Sequence, residues 1–127
     1  MGSAFWTELP EMLKLVCSKQ ECRCVVLRGL GKNFCAGLDL NEAASYMVSD
    51  GEDPARDSYR RLLLIRQMQF AISSVANCPV PVIACVQGAC VGGGVDLITV
   101  RFVKISFPNE FCPHAHDCVI YFNFSGM

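Results

Sequence analysis

The sequence predicts an α/β fold. Two short β-branched runs, Cys24–Gly29 and Val82–Val86, have the look of buried strands. Between them, residues 57–76 carry apolar side chains at helical spacing. The second run then passes through Gly92-Gly93-Gly94 into Val95-Asp96-Leu97-Ile98, the start of another helix. Helix, strand, loop, helix, strand, glycine turn and helix alternate in the order expected of α/β architecture. At 127 residues the chain is the size of one domain.

Taken in order, Phe5, Leu9, Met12, Leu13 and Val16 recur at helical spacing and predict an amphipathic helix over residues 3–18. Pro10 lies inside it, so the helix either starts late, near Thr7, or kinks. Asn33–Leu40 reads as a loop, Asn41–Val48 as the start of a helix, and Ser49–Pro54 as a solvated turn. In the long helix, Leu62, Ile65, Met68, Ile72 and Val75 form one apolar stripe. Asn77-Cys78-Pro79-Val80-Pro81 ends it, because proline fixes φ and removes a backbone donor. From Val100 onward no clear period remains.

Composition narrows the function. Hydrophobic residues make up 52% of the chain and charged residues 18%, too apolar for a disordered polypeptide. A net charge of −1 without a basic cluster argues against nucleic acid as partner. No apolar run approaches the ~20 residues of a membrane span, so no membrane partner is expected. Nine irregularly spaced cysteines, several inside apolar runs, fit reduced thiols better than a disulfide framework. No targeting signal is visible. Cys112, His114, His116 and Cys118 have ligand chemistry, but their spacing is not the usual paired zinc pattern, and no metal is expected.

Two segments share one physical logic: Phe34-Cys-Ala-Gly-Leu-Asp-Leu40 and Gln87-Gly-Ala-Cys-Val-Gly-Gly-Gly-Val-Asp96. Each follows a strand and sheds side-chain bulk where the backbone turns, which lets main chain approach a ligand. A strand running through glycines into a helix also exposes unpaired N–H groups where the helix dipole favours negative charge. One amide from each loop would form an oxyanion hole. The alternative is that the glycines only permit tight strand–helix packing. A dinucleotide site is weaker, because the G-x-G-x-x-G spacing is absent.

The pair of segments, in this order and separated by a helix, resembles the crotonase (enoyl-CoA hydratase/isomerase) superfamily. The strings Cys24–Leu40 and Cys78–Leu97 are similar to its two signatures, and Ala4–Leu9 matches in order and spacing. The likeness covers residues 1–99 and is nearest to the dienoyl-CoA isomerase branch. It implies a partial crotonase-like fold of repeated β-β-α units. It further implies that the N–H groups of Leu38 and Gly93 form the oxyanion hole. Ala36, Gly37, Leu38, Asp39 and Leu40, with Gly93, would bind the acyl-CoA thioester. Asp96 stands where hydratases usually have glutamate and is the implied catalytic acid–base, although a carboxylate there also suits the helix dipole. The implied reaction converts a 3,5-dienoyl-CoA to its 2,4-isomer in β-oxidation, in the mitochondrial matrix or peroxisome. No cofactor is implied beyond the coenzyme A that belongs to the substrate.

The resemblance ends at Thr99, leaving residues 100–127 as a divergent tail. The family's later acidic pair has no counterpart, since Glu110 and Asp117 lie in unrelated surroundings. Turnover by this chain is therefore expected to be impaired, and the family's trimer or hexamer is not expected to form. A fragment that binds acyl-CoA or joins other subunits, and an enoyl-CoA hydratase, are the alternatives. An intron read through at the Val100-Arg101 codons would account for the divergence. With the later strands missing, both strands and the long helix are expected to lack cover and to promote self-association.

Overall fold

The computed structural model describes residues 1–48, 53–100, 103–106 and 119–122. The element order is α1 (Ser3–Cys17), β1 (Val25–Gly29), α2 (Leu40–Met47), α3 (Pro54–Ala76), β2 (Val82–Val86), α4 (Gly93–Thr99), β3 (Val103–Ser106) and β4 (Val119–Phe122). The four strands form one parallel sheet in the order β3-β2-β1-β4. The α/β reading is therefore met.

Helix α1 begins at Ser3, as its apolar period predicts, so the late start that is one alternative for Pro10 does not occur. Phe5, Trp6, Leu9 and Leu13 all bury on one face, and that packing outweighs one missing backbone donor. Helix α3 begins at Pro54, three residues before the expected Asp57. The Asp53 carboxylate accepts from the Ala55 N–H, and Pro54 occupies the first helical position, where its missing donor costs nothing.

β1 and β2 are the centre of the sheet. Their registers run Val25↔Val82 through Arg28↔Cys85. Val25, Leu27 and Ala84 are inaccessible to solvent and pack with Leu9, Phe34, Ala71, Val75 and Leu97. The aperiodic tail contributes β3 against β2 and β4 against β1, so both inner strands have neighbours on each side. The β1 and β2 side chains are themselves buried or half-buried, so the lack of cover expected for these two strands is not found.

The long helix behaves otherwise. Val75 is buried and Met68 and Ile72 are partly so, but Leu62 and Ile65 are exposed, together with Tyr59, Leu63 and Phe70. The apolar stripe is covered only over its C-terminal half. Cys112, His114, His116 and Cys118, with Glu110 and Asp117, lie outside the described residues, as does most of the Ser49–Pro54 turn. Among the described residues no helix is long and apolar enough to cross a membrane, and no cluster of metal-binding side chains occurs.

Candidate active site

The two motif loops leave the sheet from the C-terminal ends of β1 and β2, which are adjacent and parallel. They are then laced together. The Phe34 N–H donates to the Gln87 carbonyl (2.6 Å), the Cys35 N–H to Ala89 (3.1 Å), and the Val91 N–H to Cys35 (3.0 Å). An isolated parallel bridge pairs Cys35 with Cys90. The Ala89 N–H donates to Asn33 Oδ1 (2.9 Å), and the buried Gln87 side chain donates to the carbonyls of Gly29 and Gly31. Each bond crosses from one motif to the other, so the loops hold one mutual geometry.

Helix α4 completes the arrangement. Gly92 precedes it with φ 57° and ψ −134°, a conformation open essentially to glycine alone. Gly93 is therefore the first helical residue, two positions earlier than the expected start at Val95. Gly94 lies so close to the other loop that a Cβ there would sit 2.5 Å from Cys35 Cβ. The glycine triplet thus serves close loop–helix packing as well as any role of the Gly93 amide.

Leu38, Gly93 and Asp96 line a single cavity of about 350 Å³. Trp6 contributes from α1, and Met68 and Ile72 from the partly covered stretch of α3. Among the described residues, no hydrogen bond is donated by the Leu38 or Gly93 N–H. Asp96 is exposed in the first turn of α4 and is the one carboxylate among the lining residues.

Of the Ala36–Leu40 loop, only Leu38 lines the cavity. Gly37 offers its carbonyl to the Met1 nitrogen (2.6 Å), and the Asp39 N–H donates to the Met1 carbonyl (3.0 Å). The Asp39 carboxylate caps α2, accepting from the Asn41 and Glu42 N–H groups. Its side chain is therefore committed to holding the loop's exit. Ala36 and Leu40 are exposed outside the cavity.

Sequence reasoning did not single out Trp6 as a site residue. Trp6 is buried, stacks edge-on against Phe5 (centroids 5.0 Å apart, 79°), and its Nε1–H has no hydrogen-bond partner among the described residues. The signal was its place in the Ala4–Leu9 string, which helical periodicity alone absorbs into core packing. Met1, also buried, sits with Trp6 against Gly93, with its sulfur 2.9 Å from where a Cβ would be.

The family model for enoyl-CoA hydratase/isomerase matches residues 1–101. The chain belongs to the enoyl-CoA hydratase/isomerase family. It is 42% identical over 112 residues to a human mitochondrial Δ(3,5)-Δ(2,4)-dienoyl-CoA isomerase, covering 87% of this chain and 34% of that protein. A peroxisomal protein of the same name from Arabidopsis thaliana is 42% identical over 109 residues, covering 84% and 39%. A crystal structure of an enoyl-CoA hydratase from Shewanella pealeana superposes with a TM-score of 0.73 at 26% identity, covering 84% of this chain and 37% of that one. The chain thus has a crotonase-type fold in part, and spans little more than a third of the length of the relatives it matches.

Proposed function

We propose that this enoyl-CoA hydratase/isomerase family chain binds acyl-CoA thioesters in the Leu38–Gly93–Asp96 cavity, and that the reaction it serves is conversion of 3,5-dienoyl-CoA to 2,4-dienoyl-CoA. The observation carrying this reading is that Leu38, Gly93 and Asp96 line one cavity, with no hydrogen bond donated by the Leu38 or Gly93 N–H among the described residues. The likeness to proteins named dienoyl-CoA isomerases supports the choice of substrate. Those relatives are named mitochondrial and peroxisomal, and either compartment suits the proposed chemistry.

In this scheme the thioester oxygen accepts from the Leu38 and Gly93 N–H groups. Asp96 removes a proton from C2, and the electron pair delocalises over the oxygen, C2, C4 and C6. Protonation at C6 then gives the 2,4-diene, with no net gain or loss of atoms. The amides act where the charge develops, which makes them more valuable in the transition state than in the bound substrate. The carbons that lose and gain the proton are well separated, and among the cavity residues Asp96 is the one carboxylate. That observation favours a second reading, in which the chain binds acyl-CoA and turns it over slowly or not at all. A hydratase reading is weaker, because Asp96 replaces the usual glutamate.

Titration with octanoyl-CoA by calorimetry, alongside ultraviolet monitoring of conjugated dienoyl-CoA, tests both readings. Acyl-CoA is expected to bind, and Asp96→Asn is expected to leave binding intact while abolishing whatever turnover exists. Absence of acyl-CoA binding by the folded protein would overturn the assignment. Turnover that survives Asp96→Asn would remove Asp96 from the mechanism.

A further inference from the structure

We propose that Cys17 and Cys78 are a redox modification site, a dithiol that a low-molecular-weight disulfide such as oxidised glutathione converts to an intramolecular disulfide. The sulfurs lie 3.2 Å apart although 61 positions separate them in the chain. Cys17 is the last residue of α1, and Cys78 follows the Asn77 cap of α3 and precedes Pro79. A disulfide brings its sulfurs to about 2.05 Å, so the pair must close by little more than 1 Å. Both residues stand at the ends of helices, where side-chain rotation and small backbone adjustments are least resisted by neighbouring turns.

Access is the second requirement, and the structure meets it. Cys17 and Cys78 both line a cavity of about 390 Å³, walled by Leu13 and Phe70, with Lys14 also on its lining. Cys17 is half-buried, and Cys78, though buried, lines the same cavity. The other close cysteine pair, Cys35 and Cys90, lacks this setting. Gly94 packs directly onto the side chains of both, and the Gly37 N–H donates to Cys35 Sγ. That pair is held inside the loop lacing, whereas Cys17 and Cys78 face a space that a small reagent can enter.

The exchange balances in two steps. The thiolate of one cysteine attacks a sulfur of the oxidant, whose S–S bond breaks; a mixed disulfide forms and one small thiol leaves. The thiolate of the second cysteine then attacks the protein sulfur of that mixed disulfide and releases the second small thiol. Two protein thiols are oxidised, and one small disulfide is reduced to two thiols. The product ties the end of α1, which carries Trp6, to the end of α3, which carries Met68 and Ile72. Closing so long a loop restricts the unfolded chain, so the oxidised protein resists denaturation better than the reduced form.

The test incubates the full chain, still folded, with oxidised glutathione, blocks remaining thiols by alkylation, and maps peptides by mass spectrometry without reduction. The expected result is a Cys17–Cys78 cross-linked peptide as the dominant disulfide, and a urea midpoint that rises on oxidation and falls back after reduction. Cys17→Ser and Cys78→Ser should each stop at a glutathione adduct on the surviving partner, with no rise in midpoint. Wild-type protein in which both cysteines are alkylated, carry separate glutathiones, or pair with other cysteines overturns the proposal.

Discussion

Replacing Gly94 by alanine probes whether the two motif loops are held in one geometry. The added Cβ would lie 2.5 Å from Cys35 Cβ, 3.0 Å from Cys35 Sγ and 3.3 Å from Cys90 Sγ. Carbon–carbon contacts are comfortable at about 3.5–4.0 Å, so α4 must retreat from the Cys35 loop by about 1 Å. Neither Cβ can swing away, because each is fixed to its backbone. Overpacking of this kind costs about 1–3 kcal/mol. A cost of about 2 kcal/mol lowers the folded-to-unfolded ratio roughly 30-fold. The same retreat carries the Gly93 amide away from Leu38, so octanoyl-CoA affinity should fall even under conditions where the variant remains folded. Urea denaturation with an unchanged slope gives the first quantity, and calorimetric titration gives the second. Cys35→Gly removes the two nearest atoms that the new methyl strikes, leaving only Cys90 Sγ at 3.3 Å. In the double variant the losses should therefore add to less than their sum, with a coupling of about 1 kcal/mol or more. A stable Gly94→Ala with native affinity, or a double-mutant cycle with no coupling, would refute the account of loop packing.

Three further outcomes follow from the same coordinates. Leu9 is wholly buried in the hydrophobic core, so Leu9→Ala should destabilise by about 2–5 kcal/mol in urea titration. Gln87→Leu removes the donor to the Gly29 and Gly31 carbonyls and should cost about 1–3 kcal/mol, with weaker octanoyl-CoA binding as the loops loosen. Tyr46 is held above the ordinary phenol value of 10.0 by burial first, then by the charge of Glu42, its hydrogen bond to Glu42 and the charge of Asp39. The folded state therefore keeps this proton longer than the unfolded state. The stability tied to it is complete below the unfolded value and declines as pH rises through the higher folded one. Ultraviolet titration of phenolate, wild type minus Tyr46→Phe, should show a midpoint above 10.0 that Glu42→Gln lowers.

Much of the inner fold was legible because its signals are local. Val82–Val86 is a β-branched run bounded by prolines and glycines, and it forms the strand expected of it. The start of α3 was missed because apolar periodicity begins later than the helix does. The Asp53-Pro54 pair is an N-cap and first-turn signal that carries no hydrophobic period. The start of α1 at Ser3 agrees with its apolar period, and the alternative of a late start at Pro10 is overridden by the burial of Phe5, Trp6, Leu9 and Leu13. Strands β3 and β4 could not be read from period at all, because their place depends on partners in β2 and β1 far along the chain. Leu38, Gly93 and Asp96 were nameable from resemblance, and the three line one cavity. That Asp39 spends its carboxylate on capping α2 needed coordinates, as did the meeting of Trp6 with that cavity.

The parallel pairing of β1 with β2 explains why two motifs about fifty residues apart in the chain meet at one edge of the sheet. In an antiparallel pair, the loops following each strand would leave from opposite ends of the sheet. Parallel neighbours in register send both loops out from the same carboxyl edge, roughly one inter-strand spacing apart, or about 4.8 Å. That spacing is short enough for backbone bonds such as Cys35 N–H to Ala89 and Val91 N–H to Cys35 to extend the ladder past the strands. A parallel pair requires a long crossover, and α3 supplies it while also walling the cavity with Met68 and Ile72. The helix that makes the topology possible thus also shapes the pocket. A lesion in α3 at Ile72 should consequently alter acyl-CoA affinity without disturbing the amide geometry, whereas a lesion at Gly94 should alter both.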